Sequence, residues 1–317
     1  DGIDITSITA TSLHLLTNGK ITDSGDIDVT GEAKFNSTGN EILLGDGKAA
    51  DGTTVVAETT GFGWLDFAGG VITISEDDSM AIAASEATGA LSLTANGAIT
   101  QTTDATAGPI DAISTSSFDA GANVITLTQA NDFAGAVSLS NTGDHLVEVT
   151  DANAIDLGTV DVGGEIIVKS TGTITDSGNL TVADLATLVS GGNAITLGDG
   201  FAADGTTANG TTANFDSIDF AGSTVTITEA GDMSIAASEA TGVLSLMSST
   251  GTISQTGRID ADNISSFTTS TNDKVINLGN TSNALTGAVS FTTGGTAGNV
   301  TVDNGTTALD LAASTIS

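Results

Sequence analysis

No cysteine occurs in the 317 residues, so neither a disulfide framework nor a thiolate metal site is open to this chain. Stability must come from burial and backbone pairing. Proline and tryptophan occur once each and tyrosine not at all, against ten phenylalanines. A globular core of this length usually draws on more aromatics. Small aliphatic residues spread evenly along the chain point instead to a thin core repeated many times.

Positive charge is nearly missing too. Six Lys and Arg face 39 Asp and Glu, a formal charge of -33 that repels nucleic acid and anionic membrane. No apolar run approaches the roughly 18 to 20 residues of a membrane helix. The N-terminal DGIDITSITA lacks a basic segment followed by an apolar one, so any export signal or anchor is expected outside this segment. Lack of cysteine leaves the compartment open, but an acidic, Lys-poor composition rich in Gly, Ser, Thr, Asn and Asp suits a secreted, extracellular or cell-surface setting.

What is present is repetition. Residues 66–93 align without a gap on residues 219–246, with 19 of 28 positions identical. The same offset of about 153 carries ITDSGD (21–26) onto ITDSGN (174–179), EILLGDG (41–47) onto AITLGDG (194–200), and GAVSL (135–139) onto GAVSF (287–291). The expected organisation is one unit over 1–152, a second over 153–306 and the start of a third over 307–317, cut from a longer array.

Within each unit a smaller motif recurs, as in Leu180-Thr181-Val182, Ile195-Thr196-Leu197 and Val225-Thr226-Ile227. Apolar, polar, apolar is the period of two that sends alternate side chains to opposite faces of a strand. Gly, Asn, Asp and Ser separate the triplets and permit tight or left-handed turns. The best helical candidate, Met80 to Thr88, is short, and its partner Met233 to Thr241 shares a strand-rich setting; both are read as strand or turn. A sandwich would need a linker near residue 153, and none is visible. A solenoid explains the seamless junction, because each coil simply packs on the last. The expected fold is an all-β, parallel β-helix of two or three strands and about 20 to 30 residues per coil.

The succession over 154–200, AIDLGTVDVGGEIIVKSTGTITDSGNLTVADLATLVSGGNAITLGDG, followed by IDFAGSTVTIT, resembles the repeats of filamentous-haemagglutinin-like bacterial surface adhesins. Short apolar triplets, GxITxSGxLxV and NxITL are visible in both units, with Ile27 in place of the Leu in the first. The resemblance implies a right-handed parallel β-helix, export across the outer membrane, and a role in adhesion, biofilm or cell-surface filaments. Its partners would be neighbouring repeats, copies of itself, surface glycans or other cells. The chain departs from the better known members in the stretches 45–64 and 198–215, which read as loops projecting from the coil.

Candidate chemistry is sparse. His14 and His145 do not recur between units and read as exposed or turn residues. A polysaccharide lyase of this architecture would need carboxylates beside several cations, and only Arg258 and five scattered Lys exist. A hydrolase needs only two carboxylates and remains the enzymatic alternative; the chain is read as a non-enzyme without catalytic residues. Phe62, Trp64 and Phe215 read as core plugs or loop caps, and Met80 and Met233 as core fillers. A regular Thr face for ice is not sustained, since Ser, Asp and Asn interrupt it. The recurrence of GDGKAADGTT as GDGFAADGTT places Asp46 with Asp51, and Asp199 with Asp204, as candidate ligands for calcium, one site per unit. On that reading the alternative is a calcium-dependent surface-layer or biofilm matrix protein.

Overall fold

A computed structural model describes residues 2–48, 54–55, 58–103, 107–200, 206, 208 and 210–317. Among them there are 35 strands and no helix, paired parallel apart from one antiparallel bridge between Lys48 and Val55. The chain forms two compact units, Asp1–Ala152 and Asn153–Ser317, each a parallel β-solenoid of about 21 residues per turn.

Every turn has three strand positions. In the first unit the opening turn supplies Ile3–Ile5, Ile8–Ala10 and Leu13–Leu16. The first face then stacks in the register Ile3, Ile21, Ile42, Ile72, Leu91, Ser116, Val137, one residue per turn. In the second unit the same face runs Ile155, Ile174, Ile195, Val225, Leu244, Ser265, Val289, Leu311. These are the first inward residues of the triplets, apolar except for Ser116 and Ser265. With a side-chain period of two, a slip of one residue would expose the whole column, and that fixes the register. Met80–Ile82 and Ser85–Ala87 are strands in the second and third positions of one turn, and Met233–Ile235 and Ser238–Ala240 repeat them.

The interior is filled by the inward columns, with Ile21, Ile42, Leu44, Ile72 and Ile74 fully buried. Aromatic pairs add to it. Phe35 and Phe62 meet edge to face at 5.6 Å, Phe118 and Phe133 at 5.8 Å, and Phe267 stacks on Phe291 at 5.7 Å. Met80 and Met233 are both buried in the core.

The corners need polar residues. Where the chain leaves one ladder for the next, a backbone N–H turns inward and must find an acceptor. Phe62 N–H donates to Glu76 and Phe215 N–H to Glu229, each at 2.8 Å. Ile110 N–H donates to Asn131 at 2.8 Å, and Ile259 N–H to Asn283 at 3.0 Å. Each of these asparagines is also locked to a glutamine, Asn131 to Gln101 and Asn283 to Gln255, with the glutamine amide donating at 2.8 Å in both. The buried polar residues are therefore part of the repeat, placed where the coil bends.

Candidate functional site

The longest first-face step, from Ile42 to Ile72, carries the segment 45–59, and its partner in the second unit lies between Ile195 and Val225. Both begin with Gly-Asp-Gly and both build a corner over a buried aspartate.

In the first unit Asp23 ends the strand Ile21–Asp23, only 1 % exposed. Gly45 N–H donates to both its carboxylate oxygens, at 3.2 and 3.1 Å. Gly45 has φ +67, and a Cβ there would sit 2.1 Å from the Ser75 carbonyl oxygen, so only glycine fits. Two residues on, Gly47 N–H donates to Glu58 Oε1 at 2.6 Å. Asp46, between the glycines, accepts from Lys48 N–H at 3.0 Å, while the partly exposed Lys48 ammonium approaches at 4.0 Å. Asp23, Asp46 and Glu58 can each direct an oxygen so that all three lie within 4.8 Å of one another. Burial, with Glu58 and Asp46 close by, pushes Asp23 up to about 7 against the opposing Gly45 N–H. Glu58 is raised by burial and by Asp46, against the Gly47 N–H.

The second unit keeps the frame. Gly198 has φ +64, and its N–H donates to Asp176 at 2.9 Å. The loop returns identically, with Ile27 N–H bonding Thr59 O in one unit and Leu180 N–H bonding Thr212 O in the other. Glu58 is therefore matched by Thr211, whose hydroxyl beside Asp176 favours its ionised form. Asp176 is still pushed up to about 6, by burial first, with Asp199 and Asp156 adding repulsion.

Beside the first corner lies a cavity of about 300 Å³ lined by Glu58, Thr60, Glu76, Asp77, Thr94 and Asn96 among others. Glu76 is buried and its carboxyl is pushed up to about 8, by burial first and then by Asp78 and Asp77, against the Phe62 N–H. Glu229 reaches about 8 for the same first reason.

Of the four sequence candidates, Asp46 joins a cluster, Asp199 lies close enough to Asp176 to repel it, and Asp51 and Asp204 fall outside the described residues. Sequence reasoning missed Asp23, Glu58 and Glu76. Asp23 could have been found by stacking ITDSG (21–25) on ILLGD (42–46), which brings the end of the first triplet to the Gly-Asp-Gly of the next turn. Elsewhere, His14 is exposed and bonds Glu32 at 2.8 Å. Phe62 is buried on Phe35, and Trp64 is half-buried. Arg258 pairs with Asp260 at 2.6 Å on a shallow cavity shared with Glu239.

No curated protein and no solved structure matches the chain. A family model does, over residues 1–58, 68–140, 144–209 and 222–292, with the Gly-Asp-Gly corner recurring in the first and third matched segments. On that coverage the chain belongs to the family described as Repeats of unknown function (DUF5649).

Proposed function

We propose that this chain is a structural or adhesive segment of a long extracellular cell-surface fibre. One observation carries the reading. The two units repeat not only their apolar columns but their corner hydrogen bonds, Glu76 with Glu229 and Asn131 with Asn283, at equivalent positions. A chain kept for extending itself would preserve that repetition, because each turn is stable only when its neighbours cover it. The outward side supports it. On the first face of the second unit Thr175, Thr196, Thr226, Ser245, Ser266 and Ser290 stack turn upon turn, a polar column suited to hydrogen-bonding a surface glycan or another fibre. The charge of -33 keeps fibres apart unless cations screen them.

The test is electron microscopy of the native parent protein on its cells, beside a form lacking residues 153–305. Seven first-face strands in the first unit, at about 4.8 Å each, predict filaments shortened by about 34 Å per unit removed. Unchanged length, or a protein found free inside the cell, would sink the reading.

A further inference from the structure

The two units share a fold and a corner but divide over what neutralises it. In the second unit the buried Asp176 has a hydroxyl beside it, that of Thr211, which favours its ionised form. In the first, the equivalent place holds Glu58, a third carboxylate beside Asp23 and Asp46. A hydroxyl there lowers the cost of a buried anion, whereas a carboxylate raises it. Such a cluster persists readily when a cation completes it.

A second observation is independent of the cluster. At this corner three oxygens have no hydrogen-bond partner and almost no exposure, Glu58 Oε2, Thr60 Oγ1 and Glu76 Oε2. All three residues line the one cavity of about 300 Å³. Thr60 is 2 % exposed and Glu76 3 %. Buried oxygens are ordinarily satisfied, and three orphans on one wall mark a place for a guest that accepts lone pairs. The second unit repeats the glutamate orphan at Glu229 Oε2, but Thr211, Ala213 and Ala230 stand where the first has Glu58, Thr60 and Asp77, so the extra carboxylates are the first unit's own. Among the described residues its corner cavity, lined by Gly198, Thr211, Thr212, Thr228 and Ala230 among others, offers hydroxyls and no carboxylate.

We infer that the first unit, and not the second, holds one hard divalent cation, calcium, between Asp23, Asp46 and Glu58, with Thr60 and Glu76 facing the adjoining cavity that admits its waters. Calcium takes six to eight oxygens in loose geometry, which carboxylates, a hydroxyl and waters supply without demanding a rigid octahedron. Lys48, at 4.0 Å from Asp46, is the tethered cation that calcium would have to outcompete, and its exposed position lets it swing away. Asp26, Asp77 and Asp78 add negative charge around the site.

Calorimetry with calcium chloride on the intact chain tests this. The wild type should show one saturable site per chain, in the range of about 10⁻⁵ to 10⁻³ M. Glu58→Thr with Thr60→Ala, which copies residues the second unit already tolerates, should abolish saturation or weaken it at least about tenfold. Thr211→Glu with Ala213→Thr should raise the stoichiometry to two. Circular dichroism in chelator verifies that each variant keeps its β signal, and Asp46→Asn serves as the loss variant should the pair fail to fold. A wild type with no saturable heat, one with two sites per chain, or equal binding by wild type and loss variant would overturn the inference.

Discussion

The first and second units answer the same geometric demand with different chemistry. Both bend the chain over a buried aspartate, both cap it with a left-handed glycine N–H, and both return the loop at the same threonine. The first then adds Glu58, Thr60 and Asp77, while the second holds Thr211, Ala213 and Ala230. Geometry is thus the property of the repeat, and charge the property of the unit. Variants that hit geometry should act alike in both, and variants that hit charge should separate them.

The largest shared effect is expected at the glycines. Gly45→Ala and Gly198→Ala each force a side chain into a left-handed conformation and place a Cβ 2.1 Å from a carbonyl oxygen, of Ser75 and of Thr228. Strain of about 1–3 kcal/mol from the backbone adds to a similar cost for overpacking, up to about 6 kcal/mol in all. Chemical denaturation should show equal losses in calcium-free buffer. A loss confined to one variant would mean that the corners are not equivalent.

The next effect concerns pH. Glu229 is fully buried and its carboxyl stands at about 8 in the folded chain against an ordinary 4.5. Below pH 4.5 it is protonated whether folded or not, and nothing is lost. Between 4.5 and 8 only the folded chain holds the proton, so stability falls as pH rises through that window. Glu229→Gln keeps an acceptor for Phe215 N–H and cannot ionise. Relative to wild type it should gain on the order of 4 kcal/mol between pH 4 and pH 9. Equal pH profiles for the two proteins would show that the carboxyl ionises freely.

Smaller still is the amide pair at the other corner. Asn131→Ala and Asn283→Ala each strand an inward backbone N–H, of Ile110 and Ile259, and remove a partner of a glutamine amide, at roughly 1–3 kcal/mol. Similar losses in thermal melts would confirm that this corner belongs to the repeat.

How far the sequence foretold these features follows from what each depends on. The strands and register were legible because Ile3, Ile21, Ile42 and Ile72 belong to triplets whose period of two is independent of context. So was the recurrence of the corner, since GDG appears at 45–47 and 198–200. Its membership was not. Asp23 and Asp46 are neighbours only because consecutive turns stack in register, and Glu58 joins them only after a loop of variable sequence returns to the ladder. Asp46 and Asp199 look alike in sequence, and what distinguishes them is contributed by residues 12 positions later. The resemblance to surface adhesin repeats captured the architecture because a stacking pattern is local, but a pattern of this kind carries no mark of a ligand.

On the third face the units differ in charge once more, and there the smallest effect is expected. In the first unit Glu86, Asp111 and Asp132 lie on successive turns in register, all exposed, with like charges facing directly. Opposed like charges across a ladder are mildly destabilising. In the second unit the column reads Glu239, Asp260, Ala284. Arg258 there pairs with Asp260 at 2.6 Å and donates to the Ser282 carbonyl oxygen at 2.9 Å. The arginine is about half exposed, so the pair is screened and worth little. Arg258→Ala should therefore cost about 0.2–1 kcal/mol at low salt, with the difference from wild type shrinking as ionic strength approaches 1 M, where the screening length falls to about 3 Å. It would leave the second unit with an unrelieved acidic pair, Glu239 facing Asp260. A cost that persists undiminished in 1 M salt would assign the role of Arg258 to its bond with Ser282 and its packing, and the charge difference between the two third faces would then be without consequence for stability.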